Sequence, residues 1–397
     1  MASSSATEPR RDGGGTSLLY DPRIRGIFYQ VVVFAAIVAL IYWIVGNTIT
    51  NLQRANIASG FGFLKGRAGF DISQSLISYS SDSTYGRAIL VGLLNTLYVA
   101  VLGIVTASII GFLVGIGRLS RNWLIRKICT VYVEVFRNIP PLLVIFFWYF
   151  GVLSVLPQVR ESLALPFGSY LNSRGFFLPA PVWGEGAWLL PVALLLGIVG
   201  SIFVARWAKR RQMATGQPFH TARVSAALIV GLPLLALIAT GFPVSFDFPK
   251  LGTFNLTGGA QVKPEFLALY LALSFYTASF IAETVRGGVL GVSKGQTEAS
   301  YALGLRPGTT MRLVVVPQAM RIIIPPLSSQ YLNLMKNSSL AIAIGYPDLV
   351  AVGGTILNQT GQSVEVVAVW MVIYLGISLV TSGLMNWFNA KMALVER

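Results

Sequence analysis

Chemistry at a site needs the right side chains brought together, and most such sets are excluded here. The sequence holds one cysteine, Cys129, and one histidine, His220. That inventory gives neither a disulfide framework nor a Cys/His metal centre. A Ser-His-Asp triad would have to recruit His220, which lies in the basic stretch 209–223 with no acid nearby. A P-loop requires Gly-x4-Gly-Lys-Ser/Thr, so that backbone amides cradle phosphate. The nearest run, Gly288 to Lys294, has Ser293 where the second glycine belongs. No catalytic residue and no metal ligand is assigned, and the chain reads as a non-enzyme without a cofactor of its own.

What the sequence does offer is a polar loop, residues 286–321, between two apolar runs. It contains Gln296-Thr297-Glu298-Ala299-Ser300, then Gly304-Leu305-Arg306, then Val316-Pro317-Gln318-Ala319. Residues 297–303 are good helix formers, and Thr297 and Glu298 suit an N-terminal end, where the helix dipole favours acids. Gly304 is a natural C-terminal stop. Arg306-Pro307 prevents continuation, and a second helical piece is predicted over 308–316. Small Ala299, Ala302 and Gly304 let another surface approach closely. The pattern supports docking, not catalysis.

Two ionisable residues fall inside apolar stretches, where charge is costly and marks function by default. Lys336 is surrounded by Asn333, Asn337, Ser338 and Ser339. A cation there could meet a substrate carboxylate, with the Asn and Ser groups as further donors; the alternative is a lysine that snorkels to an interface or pairs with an acid. Glu283 is a second candidate for a substrate path. It also precedes Arg286 by three residues, the spacing of an intrahelical ion pair, and Glu134 and Arg137 repeat that spacing.

These residues must be held by a membrane scaffold. Hydrophobic residues make up 54% of the 397 and charged ones only 11%, against roughly 25% charged in soluble domains. The net charge of +15 does not indicate nucleic acid, because the basic residues lie in short clusters between apolar runs, as membrane topology is encoded. A lipid core needs about 20 apolar residues per helix. Eight stretches approach that: 27–46, 88–116, 138–157, 188–205, 224–241, 264–285, 322–357 and 365–388. The seventh is interrupted by Pro325, Pro326, Lys336 and Pro347, so a bend, or a short helix followed by a span, is expected there. Alternate loops carry 21 Lys and Arg on one side and 8 on the other, which predicts both termini on the cytoplasmic side. Residues 1–26 read as a disordered cytoplasmic tail. The apolar run after them reads as a retained span. The outer loops 47–87 and 158–187 are long enough for short surface helices or hairpins, with Trp183 and Trp188 at an expected interface. Gly103, Ala107, Gly111 and Gly115 place small residues on one helix face, for close packing or for lining a path. The expected class is an all-α polytopic membrane protein of about eight spans.

The loop resembles the EAA loop of ATP-binding-cassette (ABC) importer permeases: Glu298, Ala299, Gly304 and Pro317 match, and Ser300 replaces the second alanine. The likeness extends to Gly92 with Asn95-Thr96-Leu97, to Glu134-Val135-Phe136-Arg137 with Pro140-Pro141-Leu142-Leu143, to Ala282–Gly288 with Ser293–Gln296, and to Lys336–Leu340 with Gly345-Tyr346-Pro347. Together these resemble the polar amino-acid importer branch (histidine/glutamine permease-like, type I), in the expanded form of the general L-amino-acid importers. The resemblance implies a permease core at 88–157 and 264–397, an extra span and periplasmic loop at 27–87, and an insertion with two spans at 158–263. It implies that 286–321 is the coupling loop, with Gln296, Glu298, Ala299, Ser300, Gly304, Leu305, Arg306 and Pro317 facing a separate ATPase that carries ATP and Mg. It further implies a second, different permease subunit, a periplasmic amino-acid-binding protein, an L-amino acid substrate, a bacterial inner-membrane location and alternating access. A secondary transporter or channel is the competing class; it predicts inverted repeats and more intramembrane acids, and neither is evident.

Overall fold

The computed structural model describes residues 22–54, 60–252 and 255–392. The expected tail lies outside the described residues up to position 21; its last part does not hold as a tail, because helix α1 (Pro22–Arg54) already begins at Pro22. The apolar faces of α1 are exposed along nearly all its described length, as suits a helix surrounded by lipid.

The centre of the molecule is α2 (Tyr85–Gly117). Thr84 caps it, accepting from the Arg87 amide at 3.3 Å. Next come the amphipathic α3 (Trp123–Asn138) and α4 (Pro141–Phe146), which continues as a wider π turn over Phe147–Leu153. The third expected span, 138–157, thus holds only the helical segment Pro141–Leu153, and the region read as the loop 117–137 is itself helical; α3 and that segment meet at 111° across Ile139-Pro140. Proline restricts the preceding residue to extended backbone, and Ile139 duly has φ −104° and ψ 133°.

The insertion follows. Strands β1 (Leu163–Leu165), β2 (Ser169–Asn172), β3 (Gly175–Leu178) and β4 (Ala180–Trp183) precede a helical hairpin, α5 (Leu189–Thr215) and α6 (Thr221–Ala239). Strands β5 (Val244–Asp247), β6 (Lys250–Leu251), β7 (Leu256–Thr257) and β8 (Ala260–Val262) come after it. β1, β2, β3 and β8 form one antiparallel sheet, and β4 pairs with β5. Backbone hydrogen bonds thus sew the two loops of the insertion together at one end of the hairpin. In the hairpin itself a Cβ at Gly197 would lie 2.6 Å from the Leu228 carbonyl oxygen, so glycine lets α5 and α6 touch backbone to backbone.

The remaining helices are α7 (Pro264–Leu290), α8 (Lys294–Ala302), α9 (Pro307–Thr310), α10 (Val316–Asn337), α11 (Leu349–Thr360) and α12 (Ser363–Met392). Six helices are long and apolar enough to cross a membrane, and eight spans result if each of the two bent helix pairs counts as one. Lipid offers no hydrophobic drive between helices, so close packing of small residues does that work. A Cβ at Gly111 would lie 2.6 Å from Ile281, and one at Gly115 would lie 2.7 Å from the Ala282 carbonyl oxygen. The small-residue face of α2 is therefore a packing seam against α7, with Gly103 against Leu334 of α10.

The seventh stretch bends as expected, but not at its paired prolines. Pro325 and Pro326 lie inside α10, and the 53° bend falls between Ile344 and Leu349. Gly345 is there in the left-handed conformation (φ 78°). The prolines are on the exposed face of α10. The break is held by α2: Asn95 Nδ2 donates to the Pro347 carbonyl (2.9 Å), the Tyr346 hydroxyl donates to the Asn95 carbonyl (3.0 Å), and the Leu349 amide donates to Thr96 Oγ1 (3.0 Å). Two separate sequence motifs, Asn95-Thr96 and Gly345-Tyr346-Pro347, are thus one bonded unit.

Candidate functional site

The polar loop folds as a short helix, a tight reversal and a second helix that runs into the membrane. α8 ends in a Schellman motif: the Gly304 amide donates to the Tyr301 carbonyl (2.9 Å) and the Leu305 amide to the Ser300 carbonyl (3.1 Å). Gly304 adopts φ 75°, which favours glycine. Arg306 is extended before Pro307. The second helical piece is not separate, because α9, a π turn over Met311–Val315 and α10 run on continuously, with Pro317 in the first turn of α10.

Exposure sorts the loop residues. Gln296, Glu298, Ala299, Gly304, Arg306 and Pro317 are exposed, and Leu305 is half-buried. Leu303 is 81% exposed and Tyr301 49%, an apolar knob on a polar loop. Ser300 departs from its expected place among the outward residues. It is 4% exposed, and its hydroxyl donates to the Gln296 carbonyl at 2.7 Å. The Gln318 side chain donates to Gln296 Oε1 at 3.1 Å and ties the start of α8 to α10.

Close to the C-terminal end of α7 a charged cluster joins three helices. The Glu283 carboxylate accepts from Arg286 (Nη2–Oε1 2.6 Å) and from Arg118 at the end of α2, and Arg137 of α3 lies 3.7 Å away. The spacing of Glu283 and Arg286 thus gives the expected pair. Glu134 and Arg137 do not pair with one another: Arg137 turns to Glu283 and the Phe280 ring, while Glu134 lies 4.0 Å from Arg118. Arg118, with its side chain 10% exposed, is the member that sequence spacing could not reveal, because its partner is 165 positions away.

Glu283 and Lys336 are not brought together, for Glu283 is engaged by arginines. Lys336 is exposed, and with Ser339, Val350, Val367, Trp370, Met371 and Tyr374 it lines a cleft of about 340 Å³. The Ser338 and Ser339 hydroxyls donate to the Met335 and Lys336 carbonyls, each at 2.7 Å, and Ser338 is buried. Asn333 is exposed. It belongs to a stripe at helical spacing on α10, namely Ile322, Pro325, Ser329, Asn333 and Lys336. Ser329 joins this stripe without having been singled out in the sequence, where it is one of many serines. Among the described residues, no group of three or more His, Cys, Asp or Glu could hold a metal.

Residues 218–394 match the family described as binding-protein-dependent transport system inner membrane component. The chain is 68% identical over 381 residues to the general L-amino acid transport system permease protein AapQ of Rhizobium johnstonii, an alignment covering 96% of this chain and 95% of that protein. The chain belongs to this family of permeases. Similarity extends to the glutamate/glutamine/aspartate/asparagine transport system permease protein BztB of Rhodobacter capsulatus, at 43% identity over 99% of each chain. The glutamine transport system permease protein GlnP of Escherichia coli is 29% identical over 219 residues, which are 54% of this permease and 94% of that one. The permease is a multi-pass, non-catalytic membrane subunit of an ABC importer, and its family implies an ATPase and a substrate-binding protein as partners.

Proposed function

We propose that the permease carries L-amino acids, delivered by a periplasmic binding protein, across the bacterial inner membrane by alternating access. The names of the relatives support the substrate class. The observation that carries the mechanism is the apolar tip of α8, exposed on a loop otherwise polar and braced to α10 through Gln296 and Gln318. A separate ATPase that grips Leu303, with Glu298, Ala299, Gly304, Leu305, Arg306 and Pro317 around it, would move α10 with α8. Ser300 would act from within, holding the helix that presents this face.

In this reading residues 88–157 and 264–397 form the permease core, 27–87 and 158–263 are additions to it, and both termini are cytoplasmic. A second, related permease subunit would face the α10 stripe, so that Ser329, Asn333 and Lys336 line the path between subunits and Lys336 meets the substrate carboxylate. Glu283 serves instead as the hub that ties α2, α3 and α7 together. The test is ATP-dependent uptake of labelled L-amino acids by the complex purified with its ATPase and reconstituted in liposomes. Uptake requiring ATP and binding protein is expected; uptake driven by an ion gradient without ATP would overturn the reading.

A further inference from the structure

Helix α5 is longer than its apolar part. Its 27 residues reach about 40 Å, and the apolar run to Ala205 takes up about 26 Å of that. A lipid hydrocarbon core is about 30 Å thick. Arg206, Lys209 and Arg210 therefore stand at the headgroup layer. They lie at helical spacing, i, i+3 and i+4, and with Met213 and Ala214 line an open concavity of about 570 Å³. All three are exposed, and among the described residues none makes an ion pair or a side-chain hydrogen bond. Residues 186–246 contain no Asp or Glu that could neutralise them.

The neighbouring arginine is used differently. The Arg211 guanidinium lies over the rings of Trp207 (5.6 Å) and Phe219 (5.9 Å), and these rings meet edge to face at 5.1 Å. That brace fixes the α5–α6 turn and leaves the other three cations facing outward. On the same face, one and two turns deeper, Phe203 is 65% exposed and Val199 47%. An apolar wall that ends in unpaired cations has the polarity of a phospholipid.

We propose that this face of α5 binds an anionic phospholipid, its phosphate among Arg206, Lys209 and Arg210 and its acyl chains along Val199 and Phe203. The site lies in the insertion, apart from the coupling loop, and the inference is independent of the substrate carried. The test uses the complete complex, delipidated in neutral detergent and titrated with phosphatidylglycerol, diphosphatidylglycerol or phosphatidylcholine, with bound lipid read by native mass spectrometry. The wild type should retain the anionic lipids over phosphatidylcholine. R206Q/K209Q/R210Q should bind them roughly a hundredfold more weakly, and R210Q alone about fivefold, as expected for basic residues at a lipid surface. R206K/R210K should stay within a few-fold of wild type. Arg211 and Arg223 remain in every variant, so the brace and part of the topological charge are kept, and protease accessibility checks the orientation. If the triple variant does not assemble, R210Q decides. Equal retention by the variants, equal binding of phosphatidylcholine, or displacement of bound lipid by inorganic phosphate at matched ionic strength would overturn the proposal.

Discussion

Gly304 has two possible reasons to be glycine, and Gly304→Asn separates them. The first is backbone conformation, φ 75° at the end of α8. A left-handed residue costs about 1–2 kcal/mol for most side chains, but asparagine is one of the few that adopt it readily. The second is room. Among the described residues, no heavy atom outside the immediate neighbours lies within 4 Å of a Cβ built at Gly304, so a side chain starts there in open space. The fold should therefore lose a few tenths of a kcal/mol at most from Gly304→Asn, and about 1–2 kcal/mol from Gly304→Val. If an ATPase surface approaches here as closely as packed protein does, the added side chain overpacks that interface by about 1–3 kcal/mol. That is roughly a fivefold to hundredfold weaker association. The assay pairs the thermal unfolding of the permease in detergent with ATPase retention on co-purification. Gly304→Asn should leave the first near wild type and reduce the second. Undiminished ATPase binding by a folded Gly304→Asn protein would refute close approach at this position.

Three further outcomes are expected. Glu283→Gln leaves Arg118, largely buried, without its carboxylate and should lower stability by about 2–3 kcal/mol. Glu134→Gln, at 4.0 Å and with its side chain 58% exposed, should cost under about 1 kcal/mol; equal losses in thermal unfolding would dissolve the hub. Gly111→Ala places a Cβ 2.6 Å from Ile281, against 3.4 Å to Leu334 for Gly103→Ala. The first should destabilise by about 1–3 kcal/mol and the second much less; similar melting temperatures would count against the α2–α7 seam. Lys336→Met should abolish uptake while the complex still assembles, and normal uptake would remove Lys336 from the path.

The features of this fold legible in the sequence are those of short range. Local chemistry was legible: Gly304 as a stop, Arg306-Pro307 as a break, and Glu283 with Arg286 as a pair all follow from neighbours a few positions apart. The small-residue register of α2 was legible as a face, but only its partners, Ile281 and Ala282, decide that the face is packed and not open. Contacts between distant segments were not legible. Arg137 has an acid three residues back and still turns to Glu283, because α3 packs on α7, which sets Glu283 and the Phe280 ring beside it. The third stretch illustrates a different limit, since hydropathy sums over a window and is blind to direction. Pro140 turns the chain through 111° where the amphipathic α3, read as a basic loop, meets the apolar stretch, and the two together make the bent pair. Pro325 and Pro326 are the converse: they look like a break, yet they sit on the exposed side of α10, and the bend waits for Gly345.

The most direct test of the docking assignment is site-specific photo-crosslinking in the assembled complex, with a crosslinking residue placed in turn at Leu303, 81% exposed, and at Ser300, 4% exposed. Leu303 should capture the ATPase subunit, and Ser300 should give only links within the permease. Capture of the ATPase from Ser300 but not from Leu303, or from neither, would contradict the claim that the tip of α8 is where the ATPase grips the membrane subunit.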